Sequence, residues 1–214
     1  MEAKKIELST LLLCFAAVLA IELGTWLLAA RFPYNPMLIL AGARCLQILL
    51  IILIVLTWGK GLASLGLARS EMASGLKKGL LWSTGFGALC SIGCVGFFVA
   101  GINPFTLIKV RLPTETWDLI LLFIVGGIVG PLAEELFFRG VIYTFLRRWG
   151  VILALVLSTL IFVLCHPLGH GIPVTRLVGG FLFAVAYEFG GSLIVPITIH
   201  VLGNLSIFSI SLLF

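Results

Sequence analysis

The sequence predicts an all-α protein, a polytopic transmembrane helical bundle of about seven spans, with six or eight also compatible. Three observations carry that prediction. Hydrophobic residues make up 61% of the 214 positions and charged residues 11%, whereas a soluble domain carries roughly 25% charged residues. Mean hydropathy is +1.22. The apolar residues come in runs of about 20, the helix length that crosses a ~30 Å hydrocarbon core, and not in the short alternating strands of a membrane barrel. In lipid every backbone N–H and C=O needs a partner within the protein, which leaves helices. No separate soluble domain is expected. A net charge of +5 would raise nucleic acid as a partner for a soluble chain. Here the cations lie mostly in short loops, where membrane topology explains them, and no nucleic-acid partner is expected.

The first span is expected over 8–30, interrupted by Glu22, and the second over 37–58, containing Arg44. The link from Gly59 to Lys78 is polar and glycine-rich. Its Leu62, Leu65, Leu67 and Met72 beside Arg69, Lys77 and Lys78 read as an interfacial segment. A third span follows over 79–101, then a loop from Asn103 to Thr116 with two prolines. The fourth apolar segment, Trp117 to about Leu146, is longer than one crossing requires. It is expected to tilt, to break near Gly130-Pro131, or to extend into the cytoplasm. The fifth span, 151–166, ends at His166 because Pro167 disfavours helix at the residue before it. The sixth covers 174–189 and the seventh 192–213.

Lys4, Lys5, Lys60, Arg69, Lys77, Lys78, Arg147 and Arg148 fall on the side of the N-terminus; Arg31, Lys109, Arg111 and Arg176 fall on the other. Eight against four predicts a cytoplasmic N-terminus and, with seven spans, an outside C-terminus. The first apolar run is too long for the core of a cleaved signal peptide. The five cysteines, Cys14, Cys45, Cys90, Cys94 and Cys165, all fall in expected spans without a C-x-x-C motif, and read as small packing residues rather than a disulfide framework. No internal repeat is visible, which counts against a transporter.

Against this background two adjacent glutamates, Glu134 and Glu135, stand inside an apolar stretch. Each carboxylate near the bilayer centre costs on the order of 3 kcal/mol by insertion scales, so such groups mark function by default. Glu135 and Arg139 are four apart and share a helix face, suiting a buried pair. Glu134 points about 100° away and is free to face a cavity. Gly126, Gly127 and Gly130 just before them would let a neighbouring helix approach closely. Phe162 and His166 are also four apart, as are His200 and Asn204 on the last span. His170 lies in a glycine-rich turn and reads as a loop residue; a zinc pair with His166 is disfavoured by the Pro167 and Gly169 between them.

Three segments thus contribute Glu-Glu-x-x-x-Arg, Phe-x-x-x-His and His-x-x-x-Asn in that order. This trio resembles the CPBP family of intramembrane proteases, which includes the type II CAAX prenyl endopeptidases and proteins linked to bacteriocin processing and self-immunity. The text Glu-Glu-Leu-Phe-Phe-Arg-Gly at 134–140 is especially close to the family's first motif, and the likeness covers roughly Trp117 to Leu213. It divides the bundle into N-terminal helices with their interfacial segment, 1–116, and a catalytic helical core, 117–214.

The resemblance implies peptide-bond hydrolysis in or beside the membrane, in a bacterial or archaeal cell membrane. Its substrate would be a membrane-associated protein or peptide: a C-terminal anchor or sorting tag, a prenylated CAAX tail, or a leader. On that reading Glu134 is the general base on water and His166 holds or polarises that water. His200 and Asn204 stabilise the oxyanion, while Glu135, Arg139 and Phe162 support the helices. Glu134, His166 and His200 are also of the right types for zinc. The chain lacks His-Glu-x-x-His, so a metal-free mechanism without cofactor is favoured. A proton-coupled transporter and a non-catalytic scaffold are the rival classes. Glu134 and His166 should lie ~20 and ~22 Å along their helices from the inner face. That depth favours cleavage within the membrane or toward its outer side.

Overall fold

The computed structural model describes residues 6–32, 34–166 and 173–213. Among the described residues the chain forms seven helices and no strand. They are α1 (Leu8–Arg31), α2 (Pro36–Thr57), α3 (Met72–Val99), α4 (Thr116–Trp149), α5 (Val151–Leu164), α6 (Val174–Gly190) and α7 (Ile194–Leu213). The expected helical bundle is the observed one. Five helices, α1 to α4 and α7, are long and apolar enough to cross a membrane, and the chain is an integral membrane protein. The remaining two are short. With 14 and 17 residues, α5 and α6 extend only about 21 and 25 Å, less than a ~30 Å core.

Local chemistry sets the boundaries. Asn35 caps α2 by accepting from the Met37 N–H at 2.9 Å, with Pro36 at the first helical position. Gly150 at φ +115° turns α4 directly into α5, and Gly191 at φ +74° turns α6 toward α7; side chains rarely adopt such angles, so glycine makes both hairpins tight.

The fourth helix is the hub. In its most apolar window 44% of residues are buried, against 6% in α1 and none in α3, whose sides face lipid. It does not break at Gly130-Pro131. Residues Leu122–Val129 are wound as π-helix ahead of Pro131, and Leu136–Tyr143 after it. The wider turns accommodate the proline ring within one continuous helix. The glycines divide by role. A Cβ on Gly127 would lie 2.6 Å from Leu205, and one on Gly126 3.2 Å from Phe208, so both admit α7 as expected. Gly130 does not: its Cβ would meet the Val125 carbonyl of its own helix at 3.0 Å.

Three further expectations are corrected. The link after α2 is not confined to the interface. Its turn Leu62–Leu65 dips into the bundle, with Leu65 fully buried against Gly140 and the Leu193 N–H donating to the Gly66 carbonyl at 2.9 Å. Residues 72–78 belong to α3, because Gly75 and Gly79 let that helix close on Ser192 and Thr198. Of the five cysteines Cys14 alone is buried; Cys45, Cys90 and Cys165 lie on the outer surface of the bundle.

The ends of the helices sort into two faces. One gathers the Lys60–Glu7 pair at 3.5 Å, the Arg147–Glu188 pair at 2.9 Å, the Lys78 ammonium on the Gly190 carbonyl, and Arg148 on the Ile6 carbonyl. Glu188 is tied there by Arg147 and by the Tyr143 hydroxyl. The other face holds Asn35 on Asp118 and the Val110 N–H on Ser211. Lys4 and Lys5 lie outside the described residues.

Candidate active site

Glu134 and Glu135 sit on the short α-helical stretch Gly130–Glu135 between the two π-wound segments of α4. Single π turns occur often at functional sites; here longer π-wound segments of eight residues each flank the two carboxylates. Glu135 is fully buried and its Oε1 accepts from two partners: Arg139 Nη1 at 2.8 Å and His200 Nδ1 at 2.8 Å. Arg139, also fully buried, donates from Nη2 to the Gly180 carbonyl of α6 at 2.9 Å. Its guanidinium lies 4.6 Å from the centre of the Phe162 ring, a cation–π contact. One ion pair therefore joins α4, α6 and α7, with α5 supplying the aromatic face.

The two histidines are held alike. In His166, Nδ1 lies 2.6 Å from the Phe162 carbonyl. A carbonyl can only accept, so this nitrogen carries the hydrogen. In His200, Nδ1 faces a carboxylate, which fixes the same tautomer. When neutral, each ring turns Nε2, as an acceptor, toward Glu134 Oε2: 3.6 Å from His166 and 3.8 Å from His200. The Phe162 ring lies 4.5 Å from that of His166, and Phe183 stacks on His200 at 4.4 Å.

Three acceptors thus converge across gaps too long for a direct hydrogen bond. What belongs between them is a donor, and a water donates two hydrogens.

Zinc fits these donors by type, and bonds of about 2.0 Å to a tetrahedral ion put ligand atoms about 3.3 Å apart, near the 3.6 and 3.8 Å found. Among the described residues no group of three His, Cys, Asp or Glu side chains is arranged to hold a metal ion.

The helix of α5 ends at Leu164, two residues before the expected 166. The His166 N–H still reaches the Val163 carbonyl, so the Phe162–His166 register survives. Pro167 and His170 lie outside the described residues. Asn204 is placed one turn beyond His200, but one of its amide hydrogens is committed to the Gly126 carbonyl at 2.9 Å; the other remains. Sequence reasoning missed Phe183, whose role depends on which ring of α6 meets α7. It also left Glu22 and Arg44 without a role.

The site is sealed on one side. Toward the lysine- and arginine-rich face lie Leu136, Tyr143, Tyr187, Leu193 and the inserted Leu65, all buried. Glu134 and His166 stay partly open, at 19% and 23% side-chain exposure, where α5 stops.

Residues 116–206 match the family model of the type II CAAX prenyl endopeptidases, Rce1-like. The membrane-embedded CAAX protease MroQ of Staphylococcus aureus (strain USA300) is 41% identical over 92 residues, covering 40% of this chain and 36% of that protein. The chain thus matches about a third of the length of this curated relative. No solved structure matches the chain.

Proposed function

Because residues 116–206 belong to the Rce1-like family of type II CAAX prenyl endopeptidases, we propose that this protein is an intramembrane endopeptidase that hydrolyses a peptide bond with a water activated by Glu134. The observation that carries this reading is the convergence of His166 and His200 Nε2 on the Glu134 carboxylate.

Glu134 takes a proton from the water as its oxygen bonds to the scissile carbonyl carbon, and later passes that proton to the leaving nitrogen as the C–N bond breaks. His166 accepts the water's second hydrogen and aims its lone pair. The remaining amide hydrogen of Asn204 supports the developing oxyanion, joined by His200 when its ring is doubly protonated; one such donor typically contributes 10²–10³ in rate. Glu135 fixes the His200 tautomer, and Arg139 with Phe162 fixes Glu135. No step is routed through a metal. The substrate is a membrane-associated protein or peptide, and its cleaved segment enters beside the end of α5. With a cytoplasmic N-terminus, that opening lies within or beyond the outer half of the bilayer, suited to trimming a membrane anchor.

Two measurements test this. Protein termini are compared by mass spectrometry in cells carrying wild type or Glu134→Gln at equal level, with and without a zinc chelator. New termini that need Glu134 and survive the chelator support the reading. Identical termini with a folded mutant shift weight to a transporter or scaffold, and chelator-sensitive cleavage replaces the metal-free step. Thiol labelling of Glu134→Cys sets the face; reaction from the cytoplasmic side alone would overturn the proposed opening.

A further inference from the structure

A second polar cluster lies between the N-terminal helices α1 and α2. Arg44 of α2 donates from Nη1 to Glu22 Oε1 of α1 at 2.5 Å and to Gln47 Oε1 at 2.7 Å, and Gln47 Nε2 donates to the same Glu22 oxygen at 2.8 Å. The second helix packs along the stretch of α4 that carries Glu134, and Arg44 is near enough to act electrostatically on that carboxylate. Glu22 acts likewise on Cys165, beside His166. Depth agrees. Glu22 lies 14 residues from Leu8, Arg44 13 from Thr57 and Glu134 13 from Arg147, all about 20 Å along their helices from the cationic face.

The guanidinium is half used. Its contacts with Glu22 and Gln47 both run through Nη1, and among the described residues no hydrogen bond engages Nε or Nη2. Those two nitrogens form the side-on fork that matches a carboxylate bidentately. The side chain is 21% exposed, whereas that of Arg139 is closed off completely. A pair serving only to join α1 to α2 has no need of an open fork at this depth.

We propose that the free edge of Arg44 is a substrate subsite that grips a carboxylate, either the chain-terminal one or an acidic side chain, close to the bond that Glu134 attacks. Glu22 and Gln47 orient the cation without consuming its fork. The subsite rests on the endopeptidase reading and names what that enzyme would recognise beyond apolar length.

The test uses the full chain in lipid nanodiscs and three probes: acetyl-Val-Leu-Phe with a free carboxylate, its C-terminal amide, and acetyl-Val-Asp-Phe-amide. Wild type should bind one of the two carboxylate probes at least about tenfold more tightly than the neutral amide. Which of the two it prefers tells terminus from side chain. Arg44→Gln should abolish that preference, and Arg44→Lys, which keeps the charge without the fork, should keep a small part of it. Thermal unfolding of each variant confirms that it is folded. Glu134→Gln should bind as wild type does while cleavage disappears. Carboxylate preference without any cleavage by wild type would sink the protease and leave the subsite standing. Equal binding of all probes, or a preference that persists in folded Arg44→Gln, overturns the subsite even where Glu134-dependent cleavage is found.

Discussion

Arg139 and Arg44 each meet a glutamate inside the bundle, Glu135 at 2.8 Å and Glu22 at 2.5 Å. Arg139 and Glu135 are fully buried, four residues apart on one helix, and their remaining bonds go to protein: the Gly180 carbonyl and His200. Arg44 and Glu22 bridge two peripheral helices and stay partly open, at 21% and 44% side-chain exposure. Burial turns the first pair into a joint, because removing either charge would strand the other in a dry interior. Openness leaves the second pair with donors still available to a further partner. The same two residue types therefore do different work according to what covers them.

That contrast can be broken by mutation. Arg139→Ala should be the most damaging change, losing about 3–5 kcal/mol as Glu135 is left buried and unpaired. Thermal unfolding in detergent reads this, and a variant as stable as wild type would mean that the pair does not clamp the bundle. Glu22→Gln should change stability by no more than about 1 kcal/mol, as for other open ion pairs. Its mark should instead be a weaker preference for the carboxylate probe, since Arg44 loses the anion that orients it. A loss of stability matching that of Arg139→Ala would erase the distinction between the pairs.

How far the sequence reveals the site follows the same division. Hydropathy locates the long spans because lipid imposes a length on them. Glu135 with Arg139 and Phe162 with His166 are legible because a spacing of four is a contact on a helix. The bond from His200 to Glu135 is not, since it joins residues 65 apart in sequence. Nor is the insertion of Leu65, which depends on the room left at Gly140 and on Leu193 arriving beside it. Arg44 reads in sequence as a costly oddity; its meaning comes from α2 lying against the one stretch of α4 that carries Glu134.

The brevity of α5 bears on the lipid as well as on the protein. A helix of 14 residues packed against α6 with 17, in a bundle whose other helices have 20 or more, is a source of hydrophobic mismatch on one flank, which a bilayer relieves by thinning or by letting headgroups and water sink inward. Such a dimple would be deepest beside the end of α5, next to His166. A hydrolase of this shape would bring solvent to a greasy substrate by deforming its surroundings, with the aqueous boundary drawn toward the carboxylate and the segment to be cut left in the hydrocarbon beside it.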